Sequence, residues 1–252
     1  MNEVQELSKL IEICHDNLKK TKLGKDYIFG ERNLSVDAFQ KYKIGFFPRN
    51  IGKLTQYVSD DFLKSAGLMD YDGTSQFSNY YSITFPIYDD YGTPVALAGR
   101  CMLSNEEREI VGIPKYKNSK FKKTNHLFGL NLARGEILLN QNAYVVEGYF
   151  DQISMYDAGI RNTVAVCGTG FSKNHLVKLA RYTDKVSILL DGDEPGQKSA
   201  ESIYNKYVNK GIKLRFLKLP LDYKDAGEYF LDNKKSLDDF HNEIKSVIPM
   251  EW

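Results

Sequence analysis

Four apolar, β-branched runs at nearly even spacing constrain this chain more than any other feature: AYVVE at 143–147, NTVAV at 162–166, KVSILLD at 185–191 and IKLRFLKL at 212–219. Each gap between them is long enough for a helix, and short apolar runs alternating with helix-length segments mark parallel strands joined by helical crossovers. The expected fold class is therefore α/β, with a mostly parallel sheet flanked by helices. In an open sheet of this kind, functional groups gather beyond the carboxyl ends of the strands. The acids obey that placement. Glu147 ends the first run and opens EGYFD, and Asp191 ends the third and opens DGDEPG; the GTG of 168–170 follows the second.

If the first and third strands are neighbours, Glu147, Asp191 and Asp193 project into one crevice. Two unit negative charges about 4 Å apart repel by roughly 4 kcal/mol at an effective dielectric near 20, so such a cluster calls for a cation. Oxygen-only ligands suit Mg2+ or Mn2+, and phosphoryl or nucleotidyl transfer is the chemistry such ions serve. Taken singly, Asp-Gly-Asp reads as a solvated turn and EGYFD as a helix start with acids near its positive end. Their joint occurrence at strand ends of one parallel unit, with Gly196 opening the next helix, is what points to a site. The GTG segment reads either as a close approach to a phosphate or as a tight turn before Ser172 as a helix N-cap.

The first half of the chain has a different texture. Leu7, Leu10, Ile11, Cys14 and Leu18 follow the spacing of an amphipathic helix that Gly24 is expected to end. A second helix is expected from Ser35, a good N-cap, to Tyr42, and further helix within 52–71. From Tyr81 the pattern turns to strands: YSITFPIY, a turn at Asp89 to Gly92, then TPVALAGR, a β-hairpin. The stretch IPKYKNSKFKK that follows shows no period and reads as an ordered loop. DDFHNEIKSVI near the end reads as a helix capped near Ser236.

The net charge is only +1 over 252 residues, which excludes a strong overall basic field, so any contact with nucleic acid must be local. Lys115, Lys117, Lys120, Lys122 and Lys123 supply a local one. With Tyr116 and Phe121 interleaved they suit a single-strand groove in which bases stack on aromatic rings; the other reading is a solvated loop anchored by those rings. An acid-bearing start and the lack of any 18-residue apolar run lead to an expected cytoplasmic location without membrane contact. Cys14, Cys101 and Cys167 form no CxxC pair, so no zinc is expected and all three read as ordinary thiols. His15, His126, His175 and His241 show no ligand spacing.

Glu147 after the first strand and Asp191-x-Asp193 after the third resemble the Toprim domain shared by bacterial primases, topoisomerases and some nucleases. ITFPIYDDYGTPVALAGR, PKYKNS and LFGL resemble, in order and spacing, segments of the bacterial DnaG-type primase core. DYIFGERNLSVDAFQKYKIGFFP is similar to that core's amino-terminal subdomain, and the resemblance covers roughly residues 10–232. It implies a mixed α+β basic subdomain over 1–135, a Toprim catalytic domain over 136–222 and a carboxyl-terminal helical segment over 223–252. It implies a DNA primase making short RNA primers on single-stranded DNA by two-metal nucleotidyl transfer, with Mg2+ or Mn2+ held by Glu147, Asp191 and Asp193.

By the same resemblance Asp225 is an auxiliary ligand; Asp151 is expected to tune the metal site or orient the loop of Glu147, as carboxylates beside metal ligands do. Arg100, Lys115, Asn118 and Lys123 fall on positions that handle template or nucleotide phosphates. One departure stands out: the family commonly carries a further acidic pair after the last strand, and here KDAGEY offers Asp225 with Gly227 where the second Asp is expected. The family's amino-terminal zinc module is absent, which implies either an excised core or a compact primase. The expected partners are the DNA template, NTPs, a replicative helicase and a separate zinc module in trans. The rival readings are a Toprim-type nuclease and a non-catalytic replisome adaptor that binds single-stranded DNA. A topoisomerase would need a nucleophilic Tyr on a further large domain, for which the chain has little room.

Overall fold

The apolar positions from Leu7 to Leu18 form the buried face of α1 (Glu3–Lys20), whose Asn2 and Gln5 cap each other's backbone N–H. In the computed structural model, described over residues 1–166, 168, 170–189, 194–207, 211–232 and 235–248 with backbone alone at 194–198, 200–201 and 247–248, the chain divides into two units. One is Met1–Tyr88 with Gly92–Phe121, the other Asp89–Tyr91 with Lys122–Trp252.

In the first unit Gly24 does not end α1. Thr21 does: its backbone turns extended, and its hydroxyl donates to the Asn17 carbonyl at 2.7 Å. Gly24 lies in the next turn, α2 (Lys22–Lys25), where a Cβ would come within 2.8 Å of Phe46 Cδ2, so a close packing contact requires it. A π-helical turn, Asp26–Glu31, follows. Next come α3 (Val36–Lys41), capped by Ser35, β1 (Gly45–Phe46), α4 (Ile51–Leu54), α5 (Asp60–Ser65) and α6 (Gln76–Asn79).

The hairpin pairs β2 (Ile83–Tyr88) with β3 (Pro94–Arg100), Thr84 opposite Gly99. After α7 (Asn105–Val111) the lysine-rich segment is not simply loop. It contains β4 (Tyr116–Asn118), which pairs with Ala98–Arg100 and completes an antiparallel sheet in the order β1-β2-β3-β4. An edge strand of three residues is too short to display a period of two, which is why the pattern hid it. Buried Glu6 ties α1 to α5, its carboxylate accepting the Ser59 N–H at 2.9 Å and the Ser59 hydroxyl.

The second unit contains α8 (Leu130–Asn140), β5 (Ala143–Val146), α9 (Tyr149–Asp157), β6 (Thr163–Ala165), α10 (Lys173–Leu179), β7 (Lys185–Leu189), α11 (Glu194–Tyr207) and β8 (Lys213–Lys218). It closes with α12 (Ala226–Leu231), α13 (Leu237–Glu243) and β9 (Lys245–Ile248). The sheet order is β6-β5-β7-β8-β9. The four strands read from the sequence are mutually parallel, and β9 runs antiparallel to β8. The closing segment is therefore helix only as far as Glu243. Ile244 is extended, and KSVI, which has strand chemistry, covers the edge of β8 that would otherwise offer unpaired backbone groups.

One face of this sheet presents Val145, Val164, Ile188 and Phe216 to a core completed by Leu130 and Ile137 of α8, Leu179 of α10 and Ile203 of α11. On the other face Phe240 of α13 meets the Tyr144 ring edge-on at 6.1 Å, and α12 packs on α9. Among the described residues no helix is long and apolar enough to cross a membrane. Cys14 and Cys101 are buried thiols; Cys167 lies outside the described residues.

Candidate metal and nucleic-acid site

Because β5 and β7 pair directly and in parallel, Val145 opposite Ile188, the chain leaves both strands at the same edge. Glu147 follows β5 at that edge and is half-buried. Asp191 and Asp193, which follow β7, lie outside the described residues, as does Thr169 of the GTG segment. Gly168 and Gly170 have left-handed φ of 82° and 64°, and Ser172 N-caps α10 by accepting the His175 N–H at 3.1 Å. Among the described residues no three acidic, His or Cys side chains gather closely enough to hold an ion. Glu147 is thus the one member of the expected triad that can be described. Its carboxylate oxygen is a donor that fits a hard divalent cation.

Asp151 stands in the first turn of α9, and its two oxygens reach two backbone amides. Oδ2 accepts the Gly148 N–H at 2.9 Å, and Oδ1 accepts the Gly227 N–H at 3.2 Å. The carboxylate therefore clamps the turn that carries Glu147 to the start of α12, a partner 76 positions away. A Cβ at Gly148 would lie 2.6 Å from Asp151 Oδ2, and one at Gly227 would lie 3.1 Å from Asp151 Oδ1 and 3.2 Å from Asp225 Oδ1. Asp225 itself N-caps α12, accepting the Glu228 N–H at 2.8 Å. An orienting role for Asp151 on the Glu147 loop was among the expectations from the sequence; its second partner, the Gly227 amide, was not.

In the first unit, three of the four expected phosphate-handling residues lie on this strand pair: Arg100 ends β3, Lys115 immediately precedes β4 and Asn118 ends it. Arg100 lies opposite Tyr116 in the strand register. Its guanidinium donates to the Tyr27 hydroxyl and, at 3.1 Å, to the Tyr116 hydroxyl, and lies over both rings, 5.7 and 5.2 Å from their centroids. Tyr27, on the π-helical turn, is a residue that sequence reasoning missed. Lys115 is exposed beside the Tyr116 ring, 6.0 Å from its centroid, and Asn118 ends β4 opposite Ala98. The structure thus brings Arg100, Lys115 and Tyr116 together. Lys117 donates to Gln76 at 2.7 Å, and the stem of Lys120 lies along Gly67.

Lys123 belongs to the second unit, in a 3-10 turn, Lys123–Asn125, fastened to the start of α10. The Ser172 hydroxyl donates to the Thr124 carbonyl at 2.8 Å, and His175 Nε2 lies 3.2 Å from the Lys123 carbonyl. Ser172 N–H meets His175 Nδ1 at 3.2 Å, so the imidazole accepts at Nδ1 and donates at Nε2, which is the neutral form. Burial lowers the pKa of His175, and it lowers that of His126 as well, with Lys178 adding to the effect. Asp90, read as a turn residue, is a buried acid whose carboxylate lies 2.5 Å from Lys178 Nζ, with Arg134 donating to its carbonyl at 3.1 Å.

A mostly parallel sheet with Glu147 at the carboxyl end of β5 fits a Toprim-like domain, and the Toprim-like family matches residues 144–230. The family described as DNA primase catalytic core, N-terminal domain, matches residues 13–134. The chain belongs to the DnaG-type primase catalytic cores. It is 32% identical to a DNA primase of Synechococcus elongatus over 90% of this chain and 34% of that protein. The structure of the zinc-binding and RNA polymerase domains of Aquifex aeolicus primase superposes with a TM-score of 0.83 at 27% identity, covering 97% of this chain and 61% of that one. A DnaG primase catalytic domain bound to single-stranded DNA gives 0.75 at 27% identity, covering 95% and 79%. The chain spans about a third of the length of the Synechococcus relative.

Proposed function

We propose that the chain synthesises short RNA primers on a single-stranded DNA template. The observation that carries this reading is Glu147 at the carboxyl edge of β5, beside β7, in a chain whose two parts match the two parts of a primase core. Glu147 would hold Mg2+ or Mn2+ together with Asp191 and Asp193, with Asp225 as an auxiliary ligand. Such ions, when bound, lower the charge of the incoming triphosphate and favour ionisation of the attacking 3′-hydroxyl.

The chain's own residues do the rest. Asp151 keeps the Glu147 turn in place through the Gly148 and Gly227 amides. Arg100, held between two tyrosines, offers a planar donor fork for a phosphate. Lys115, Asn118 and Lys123 would follow the backbone of the template, with the Tyr116 ring as a stacking surface. A replicative helicase and a zinc module supplied in trans are the further partners proposed. Residues 1–135 would carry the template, 136–222 the metal chemistry, and 223–252 would support the sheet.

The test is incubation with single-stranded DNA, NTPs and either ion, with the products separated on a gel. New short oligomers support primase activity. A shortened template means a nuclease, and an intact template without products means a binding protein.

A further inference from the structure

Where α1 gives way to α2 the chain reads KKTKLGK, residues 19–25, with four lysines and no acid. From Lys19 to Arg32 it carries five cations against two acids, Asp26 and Glu31, an excess of three where the whole chain has an excess of one. The rest of the protein taken together is therefore net negative. Lys19, Lys20, Lys22 and Lys25 are all exposed, and so is Leu23 among them.

Two of these lysines have a local reason. Lys19 and Lys20 stand in the last turn of α1, where cations suit the negative end of a helix, and Lys19 pairs with Asp16 at 2.9 Å. Lys22 and Lys25 have no such reason. The Asp26 N–H donates to the carbonyls of Lys22 and Leu23, and the backbone runs on into the π-helical turn, so α2 leaves no open end there for a cation to complement. Among the described residues neither the Lys22 nor the Lys25 side chain makes an ion pair or a hydrogen bond. Three positions apart, they share one face of a single turn, where like charges oppose each other. Their outward placement is built in. Gly24 fits the inner side of α2 against Phe46 and Leu18, which seats the turn on the core and leaves Lys22, Leu23 and Lys25 outside. Asn17 Nδ2 donates to the Phe46 carbonyl at 2.8 Å and fastens the end of α1 to the same strand.

The segment continues directly into the phosphate-handling cluster. Two residues after Lys25 comes Tyr27, whose hydroxyl accepts from Arg100 and, at 3.1 Å, from Arg32. At the usual helical rise Lys25 and Lys22 lie roughly 3 and 8 Å from Tyr27 along the axis, on the adjoining turns. We infer that Lys20, Lys22 and Lys25 form a second phosphate-binding surface, for the backbone of a single nucleic-acid strand, an inference that rests on the template reading proposed above for Arg100. Ammonium groups on flexible stems over an open surface suit a run of phosphates better than one compact anion, which a rigid donor fork would hold. Leu23 between them offers apolar contact to a sugar or base.

The experiment is binding of the whole chain to a labelled 20-nucleotide oligo-dT, read by fluorescence anisotropy in EDTA over a range of salt. Each phosphate contact on a single strand contributes about 0.7 to the logarithmic slope, so Lys20→Ala/Lys22→Ala/Lys25→Ala is expected to flatten it by about 1.4–2.1 and to weaken binding about tenfold or more at low salt. Lys9→Ala/Lys53→Ala/Lys213→Ala removes the same charge at exposed positions elsewhere and is expected to flatten it far less. Melting curves establish that each variant folds; should the triple variant be damaged, Lys22→Gln/Lys25→Gln reads a flattening of up to about 1.4. A flattening no greater than that of the control variant would overturn the inference. If Arg100→Gln leaves affinity unchanged while the lysine variant still flattens the slope, the template reading of Arg100 falls and the lysine surface stands. No measurable binding of oligo-dT by the wild type would overturn both.

Discussion

Replacing Asp151 by alanine distinguishes a clamp from a metal ligand by the sign of its effect. The carboxylate accepts two backbone N–H groups, from Gly148 at 2.9 Å and from Gly227 at 3.2 Å. A hydrogen bond to a charged acceptor contributes about 1.5–3 kcal/mol when buried, but Asp151 is half-exposed and its second bond is long, so the pair together contributes about 2 kcal/mol. For a chain of this size that is a fall in Tm of about 4–8 °C. If Asp151 were chiefly one of several carboxylates crowded around an ion, its removal without metal would relieve repulsion and raise Tm. Thermal melting in EDTA reads the difference, with Mg2+ titration of the same variant alongside. A Tm in EDTA equal to or above wild type, with lost Mg2+ affinity, would refute the clamp. Asp151→Asn keeps one carbonyl acceptor and is expected to fall between.

Gly227→Ala puts a Cβ 3.1 Å from Asp151 Oδ1 and 3.2 Å from Asp225 Oδ1, and a loss of about 1 kcal/mol in urea unfolding is expected; unchanged stability would show that the clamp has slack. Glu147→Ala is expected to abolish primer synthesis while the fold survives, checked by gel assay and circular dichroism. His175 and His126 have folded pKa values below the unfolded value of about 6.5, so the stability they protect is complete above that pH and lost as pH falls through the folded values. Melting temperature should drop from pH 7 toward 5, and a His175 NMR titration at or above its unfolded midpoint would contradict the neutral tautomer. The five lysines of 115–123 should contribute at most about −3.5 to the logarithmic salt slope of single-strand affinity, nearer −2 if Lys117 and Lys120 stay committed to Gln76 and Gly67. The pair Lys115→Ala/Lys123→Ala should flatten it by up to about 1.4, and an unchanged slope means a solvated surface.

The parallel strands were legible because burial on two faces writes itself into consecutive residues: every side chain of AYVV is buried. Elements whose reason lies elsewhere in the chain left no such trace. β4 exists because Ala98–Arg100 needed an edge partner, and β9 because β8 did. Gly24 looked like a helix terminator, since glycine has two uses and only the position of Phe46 decides between them. Asp90 looked like a turn residue because a buried ion pair with Lys178, 88 positions on, has no local signature.

The same reasoning explains the uneven legibility of the candidate site. Glu147 could be read because strand ends are where this architecture exposes chemistry, and the register of β5 with β7 then supplies the neighbour it needs. Gly227 read only as a missing acid. In the structure its amide meets the Asp151 carboxylate, and Asp225 beside it caps α12, so two carboxylates already crowd that point. An aspartate at 227 would add a third negative charge there, at a cost of roughly 4 kcal/mol per neighbour about 4 Å away without a counterion. Glycine removes both the crowding and the charge. What the sequence presents as a lost ligand is a glycine whose amide N–H the Asp151 carboxylate accepts.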